Sequence, residues 1–269
     1  MTVGEWLSDA VKELTEAGTS SQKLDADLIL GHVLGQSRTW LAAHDADRLS
    51  NSQSQEADAL LHRRASREPL VHLTQSREFY GLDLRITPQV LTPRVETEQM
   101  VTWALKYAPE KASVIDVGTG SGAIAIALKK TRPDLQVTAT EVSDEALGVA
   151  RENALHHETE ITFVSSDLWD QIHDSYDVVV TNLPYLQDDA DLMPEVTHEP
   201  AVALFGGPDG LGLYRRFLKQ LPAHLKPNGY LFTECDPWQH EELITLAVQY
   251  GLRPIEQGYF ILGFQLITK

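Results

Sequence analysis

Ser113-Val114-Ile115-Asp116-Val117-Gly118-Thr119-Gly120-Ser121-Gly122 decides the fold. A short apolar run ending on an acidic residue reads as a buried strand, and the three glycines after it read as a tight turn into a helix over 123–130. Glycines let the backbone bend sharply and approach a ligand without Cβ clashes. Further short apolar runs follow at 136–140, 161–164, 178–181 and 230–233, with helical patterns between them. One of these helices spans 143–156, with Ser143 as N-cap and Asp144 and Glu145 in its first turn. Alternation of this kind predicts an α/β domain, a parallel sheet with helices on both faces. The last two runs, 254–257 and 260–267, are joined through Gly258, and so short a link predicts antiparallel pairing.

Outward from this core the pattern changes. Residues 1–76 show only helical spacing: Trp6, Ala10, Val11 and Leu14 before Gly18, then Leu24, Leu28, Ile29, Val33 and Leu34 before Gly35, then Ala57, Leu60, Leu61 and Ala65 before Pro69. They predict a helical accessory domain. Phe79, Tyr80, Leu82, Leu84 and Ile86 alternate around Gly81 and predict a hairpin, which with Pro88 and Pro93 makes 77–93 a connector. The sheet domain is expected over 94–269.

Composition narrows the class. The chain of 269 residues is 42% hydrophobic and 23% charged, with a formal charge of -17. The acidic balance argues against broad binding of a phosphate backbone, and residues 1–76 carry 7 Lys/Arg against 11 Asp/Glu. Cys235 is the only cysteine, which rules out an intrachain disulfide and a thiolate zinc site. The ten histidines show no metal-ligand spacing, so no metal is expected. With no signal peptide or membrane-length apolar run, a cytoplasmic protein is expected.

Candidate site residues fall at the predicted strand tips. Gly118, Thr119, Gly120, Ser121 and Gly122 would cradle an adenosine ligand. Glu141, ending the next strand, could accept the ribose hydroxyls, and Asp167 the adenine amino group, with Leu168 beside the ring. The glycine loop with Ala123 also fits a dinucleotide site, so it does not choose the ligand. That choice comes from Asn182-Leu183-Pro184-Tyr185, which ends the run Val178-Val179-Val180. The oxygen of Asn182 and a following backbone carbonyl, such as that of Leu183, can each accept one N–H of a planar NH2 group. Two such acceptors enrich and orient its nitrogen beside a methyl donor. Pro184 stiffens the turn, and Tyr185 offers an aromatic wall that could also favour a sulfonium cation. The pair of motifs predicts methyl transfer to an amide or exocyclic amino nitrogen. Arg94, Glu96 and Glu98 fit equally an ion-pair network or enclosure of the ligand. Trp238 reads as a packing residue.

The chain resembles the bacterial protein-(glutamine-N5) methyltransferases that modify peptide chain release factors. The likeness rests on Arg67-Glu68-Pro69-Leu70-Val71-His72-Leu73, on Leu91-Thr92-Pro93-Arg94-Val95-Glu96-Thr97-Glu98 against the family's L-I-P-R-P-E-T-E, and on 116–122 and 182–185. It extends to Glu199-Pro200-Ala201-Val202-Ala203-Leu204 and Gly206-Gly207-Pro208-Asp209-Gly210-Leu211. The resemblance implies a small helical domain that recognises the substrate and a seven-stranded Rossmann-like class I methyltransferase domain. It implies S-adenosylmethionine held by 118–122, Glu141, Asp167, Leu168 and Asn182. It further implies a substrate glutamine in a Gly-Gly-Gln motif, gripped by Asn182 and the Leu183 carbonyl beside Pro184 and Tyr185. Release factors are then the partners, and a monomer without stable nucleic acid binding is expected. The chain departs from the family at Leu183 and Val95, where proline is usual, and at Glu234-Cys235-Asp236 against Glu-Ile-Gly. A methyltransferase acting on RNA or DNA amino groups, one acting on a ribosomal-protein glutamine, and a non-catalytic nucleotide-binding adaptor are the alternatives.

Overall fold

A computed structural model describes residues 1–267. The chain forms two compact units, one of residues 1–76 with Leu192–His198, the other of residues 77–191 and 199 onward.

The helical unit contains α1 (Val3–Glu16), α2 (Gln22–Leu34), α3 (Arg38–Ala43), α4 (Asn51–Ala65) and α5 (Leu70–Thr74). Capping boxes start α1 at Thr2 and α4 at Ser50, and Gly35 ends α2 in the left-handed conformation that glycine takes without strain. Val3, Trp6, Ala10 and Leu14 of α1 bury one stripe against Ala26, Ile29 and Leu30 of α2 and Ala57 and Leu61 of α4. The short α3 and α5 are absent from the sequence reading, because five or six residues are too few to show helical periodicity.

Charge is also buried here. Asp25 and Arg64 are 3% and 5% exposed, and the Arg64 Nε donates to Asp25 at 2.7 Å. Glu195, from the distant segment within this unit, accepts from Arg64 at 3.0 Å and from Arg67 at 2.7 Å. The Arg67 guanidinium, seconded by Arg64, holds the Glu195 carboxyl down at about 2. Arg64→Ala is expected to lower stability by about 3 kcal/mol, because it strands a buried carboxylate; urea unfolding of wild type and variant checks it.

In the second unit, β1 (Ser76–Phe79) and β2 (Leu82–Arg85) form a two-stranded sheet. Their link, Tyr80-Gly81, has φ of 52° and 75°, the paired positive angles of a tight hairpin turn. The main sheet is built by β3 (Ser113–Val117), β4 (Gln136–Glu141), β5 (Thr162–Ser165), β6 (Tyr176–Thr181), β7 (Leu225–Glu234), β8 (Leu252–Gln257) and β9 (Ile261–Leu266). Its order is β5-β4-β3-β6-β7-β9-β8, with β9 antiparallel to both neighbours and the other pairings parallel. The helices are α6 (Glu98–Tyr107), α7 (Ala123–Thr131), α8 (Asp144–His156), α9 (Gly212–His224) and α10 (His240–Gln249). The α/β expectation and the antiparallel ending agree with this sheet.

The largest departure from an expected strand length is at β7. β7 begins at Leu225, not Tyr230, and its register against β6 jumps from Tyr176↔Leu225 to Val178↔Tyr230. Pro227-Asn228-Gly229 lies in the bulge, with Asn228 at φ 60°. Such residues read as a turn in sequence, and only pairing with β6 carries the strand through them.

Candidate active site

Strand order reverses between β3 and β6: the chain proceeds from β3 to one side of the sheet and from β6 to the other. The loops leaving their carboxyl ends diverge, and a crevice opens between them, the usual ligand position in an open α/β sheet. Here it is a cavity of about 290 Å³, lined by residues 117–121 after β3, Glu141 after β4, 166–168 after β5 and Asn182, Leu183 and Pro184 after β6. Gln89, Val90, Leu91, Pro93 and Thr97 close one side.

The glycine loop is pinned from below. The N–H groups of Gly118 and Thr119 donate to the Thr140 carbonyl at 2.9 and 2.8 Å. Gly118, Gly120 and Gly122 all have positive φ, and the Cβ position at Gly120 meets nothing within 4 Å, so space for a ligand remains above the loop. At Gly122 a Cβ would press on Ala150 of α8, so this glycine serves helix packing. Glu141 accepts from the Gly120 N–H at 2.9 Å and from those of Val142 and Ser143 at 2.9 and 3.1 Å. Its carboxylate, with about four acceptor positions, is held rigid and keeps capacity for a ligand hydroxyl.

Asp116 lies beneath the loop, fully buried, and accepts from the Thr119 hydroxyl at 2.6 Å. Burial pushes its carboxyl up to about 7, partly countered by the Thr119 bond. The folded state therefore binds this proton more tightly than the unfolded chain, so stability falls as pH rises between the unfolded value near 4 and about 7. Asp116→Asn is expected to remove a pH-dependent loss of up to about 4 kcal/mol across that window. Urea midpoints of the ligand-free protein at both ends of the window test it.

Asp167 lines the cavity and its carboxylate accepts from Arg216 of α9 at 2.8 Å. The sequence reading did not include Arg216, which no motif marks. Leu168 is buried at φ 51°, and its carbonyl accepts from the Ser166 hydroxyl at 3.1 Å.

The four residues 182–185 diverge in direction. Asn182, Leu183 and Pro184 reach the cavity wall; Tyr185 is not among its lining residues. The Tyr185 ring packs on the core, and its hydroxyl donates to Glu234 Oε1 at 3.2 Å. Leu183 is 3% exposed, and its Cδ2 lies 3.5 Å from where a Gly118 Cβ would stand, so the leucine side chain itself supports the glycine loop. Its carbonyl lies 3.3 Å from the buried Tyr214 hydroxyl, which also donates to the Glu234 carbonyl.

The motif Gly206–Gly210 cradles this loop. The Gly206 N–H donates to the Leu186 carbonyl at 2.8 Å, the Leu186 N–H to the Leu204 carbonyl at 3.0 Å, and Gln239 Nε2 to the Tyr185 carbonyl at 2.9 Å. A Cβ at Gly206 would run into the Pro184 carbonyl oxygen, and one at Gly210 into that of Tyr185.

One sequence expectation, that for Trp238, changes, and the places of Arg94, Glu98 and Asp236 become clear. Arg94 pairs with Glu199 at 2.6 Å, and Glu98 accepts from the Tyr80 N–H at 2.8 Å, so these two brace the backbone around the cavity. Trp238 does not pack: it is 56% exposed. Asp236, where the family has glycine, sits at φ -67° and caps the turn Pro237–Gln239, so no positive φ is demanded of it.

Strand order, glycine loop and strand-tip asparagine together define a class I methyltransferase. A family model described as the PrmC N-terminal domain matches residues 5–74, and one described as the methyltransferase small domain matches residues 97–203. The chain is 40% identical to the release factor glutamine methyltransferase of Deinococcus radiodurans, over 94% of both chains. It is 35% identical to that of Escherichia coli, over 92% of this chain and 90% of the relative. This chain belongs to the release factor glutamine methyltransferase family. Among solved structures, a methyltransferase from Pyrococcus furiosus has a TM-score of 0.55 at 17% identity, over 80% of this chain and 98% of the other. The Thermus thermophilus 16S rRNA N2 G1207 methyltransferase, solved with AdoMet and guanosine, has a TM-score of 0.53 at 17% identity, over 71% and 49%. At that identity both speak for the fold.

Proposed function

We propose that this protein uses S-adenosylmethionine to methylate the side-chain nitrogen of the glutamine in the Gly-Gly-Gln motif of peptide chain release factors. The observation that carries this is the meeting of a glycine loop and a strand-tip asparagine in one cavity, in a chain whose relatives bear that name. The residues present suit the cofactor. Positive φ at Gly118 and Gly120 keeps the cradle open, Glu141 is fixed to receive ribose hydroxyls, and Asp167 and Leu168 border the adenine position. Bound there, the cofactor supplies an electrophilic methyl group.

Asn182 accepts one N–H of the substrate amide through its oxygen, and the Leu183 carbonyl accepts the other. Pro184 keeps the two acceptors at a fixed separation. A carboxamide nitrogen is a poor nucleophile, and these bonds enrich it while stopping its rotation. Glycines beside the target let its backbone enter without side-chain clashes. The helical unit is assigned to recognition of the release factor away from the chemistry.

The test offers labelled S-adenosylmethionine to purified unmodified release factor, ribosomal protein and total RNA together. One methyl group on the Gly-Gly-Gln glutamine, located by mass spectrometry, is expected. Label confined to RNA or to the ribosomal protein overturns the proposal.

A further inference from the structure

Glu234 is buried at the site, 2% exposed, and the chemistry described so far does not use it. It ends β7 as Thr181 ends β6 ahead of Asn182, and Thr181 pairs in register with Thr233. The next residue along each parallel strand, Asn182 and Glu234, therefore stands beside the other at the carboxyl end of the sheet. The carboxylate of Glu234 accepts from two hydroxyls: Thr97 Oγ1 donates to Oε2 at 2.6 Å and the Tyr185 hydroxyl donates to Oε1 at 3.2 Å. The Asn182 side chain, its neighbour across the two strands, favours the charged carboxylate.

Burial pushes the Glu234 carboxyl up, but Thr97, Tyr185 and Asn182 oppose that shift, as donors to a carboxylate do; a carboxylate with both oxygens accepting can meet Asn182 only through its NH2 group. The two ends of a carboxamide are nearly equal in size, and packing alone does not choose between them. Turned the wrong way, Asn182 would face the incoming amide with N–H against N–H. With its NH2 held by Glu234, its oxygen is the end left for the cavity that Asn182 lines.

We infer that Glu234 is a positioning residue for methylation, holding Asn182 in the one amide orientation that presents oxygen to the reacting nitrogen. The inference rests on the reading of Asn182 as the acceptor for the substrate amide. Thr97 and Tyr185 steady the carboxylate in turn. This accounts for Thr97 in the segment 91–98 and for Tyr185, whose hydroxyl is turned to Glu234. Glutamine at 234 would have the same shape, but one oxygen would become a donor, and the preference imposed on Asn182 would be lost.

The experiment is a double-mutant cycle on the full chain with purified release factor as substrate. It compares wild type, Glu234→Gln, Asn182→Ala and the double variant for kcat, KM and S-adenosylmethionine affinity. Glu234→Gln should lower kcat roughly 10- to 100-fold, somewhat less than outright loss of a positioning group. KM and cofactor affinity should stay within about twofold of wild type. The double variant should be no slower than Asn182→Ala alone, because no amide remains to be oriented. Multiplying losses would show that Glu234 acts independently of Asn182 and would overturn the inference. So would unchanged kcat with a lowered unfolding midpoint, the mark of a purely structural anchor. Wild-type turnover in Asn182→Ala is a separate result: it removes the functional reading of the site and this inference with it. Should Glu234→Gln not fold, Thr97→Val keeps the carboxylate, removes one donor that steadies it, and must show the same non-additivity with Asn182→Ala.

Discussion

Asn182→Ala is expected to bind S-adenosylmethionine almost normally and to transfer methyl groups roughly 100- to 1,000-fold more slowly. The proposed cofactor cradle consists mainly of the loop after β3 and the tips of β4 and β5, all of which keep their contacts when residue 182 is shortened. What disappears is the acceptor proposed for the substrate amide, whose lone pair is otherwise delocalised into its own carbonyl. An interaction needed in the transition state and nearly indifferent to ground-state binding appears in kcat, not in KM. Calorimetry for the cofactor and single-turnover methylation of release factor separate the two effects. Turnover close to wild type would place the chemistry elsewhere.

Gly210→Ala should damage the protein more broadly, with stability lowered by about 4 kcal/mol and methylation lost. Gly210 has φ 72°, a conformation that costs any residue with a Cβ. The added carbon would also collide with the Tyr185 carbonyl oxygen and with the Gln239 amide that holds it. Both penalties are paid at one place, which puts the substitution among the few that exceed the ordinary range of single mutations. If the chain folds, it does so by moving residues 182–185, and a displacement on the order of 1 Å can cost about 100-fold in rate. Circular dichroism melts and methylation assays report the two parts. Unchanged melting and activity would mean that the loop carries the extra carbon without moving.

These two expectations draw on different kinds of information. The place of Asn182 at a strand tip was legible in the sequence, because an apolar run followed by Asn-x-Pro-Tyr is a local pattern. The glycine loop, the N-cap at Ser143, the hairpin around Tyr80-Gly81 and the helices on either side of Gly18 and Gly35 were legible for the same reason. Backbone preference and hydrophobic period act over a few residues, and those residues are adjacent in the chain. The α/β class followed from the alternation of such segments.

Contacts between distant residues were not legible. Thr97 and Glu234 lie 137 positions apart and meet only because β7 ends beside β6 and the start of α6 comes near. Glu195 joins Arg64 across 131 positions, which no spacing rule announces. The motif 206–211 could be seen in the sequence, but its purpose, cradling residues 184–186, required the loop to be folded against it. The strand through Pro227-Asn228-Gly229 exists because its neighbour pairs with it, against the local preference for a turn. The sequence by itself determined most of the elements, the class of sheet and the two loops that face each other across the cavity, since these depend on local conformational preference. The tertiary structure alone decided which buried groups share hydrogen bonds at the strand tips, since desolvation and register bind residues that the chain keeps far apart.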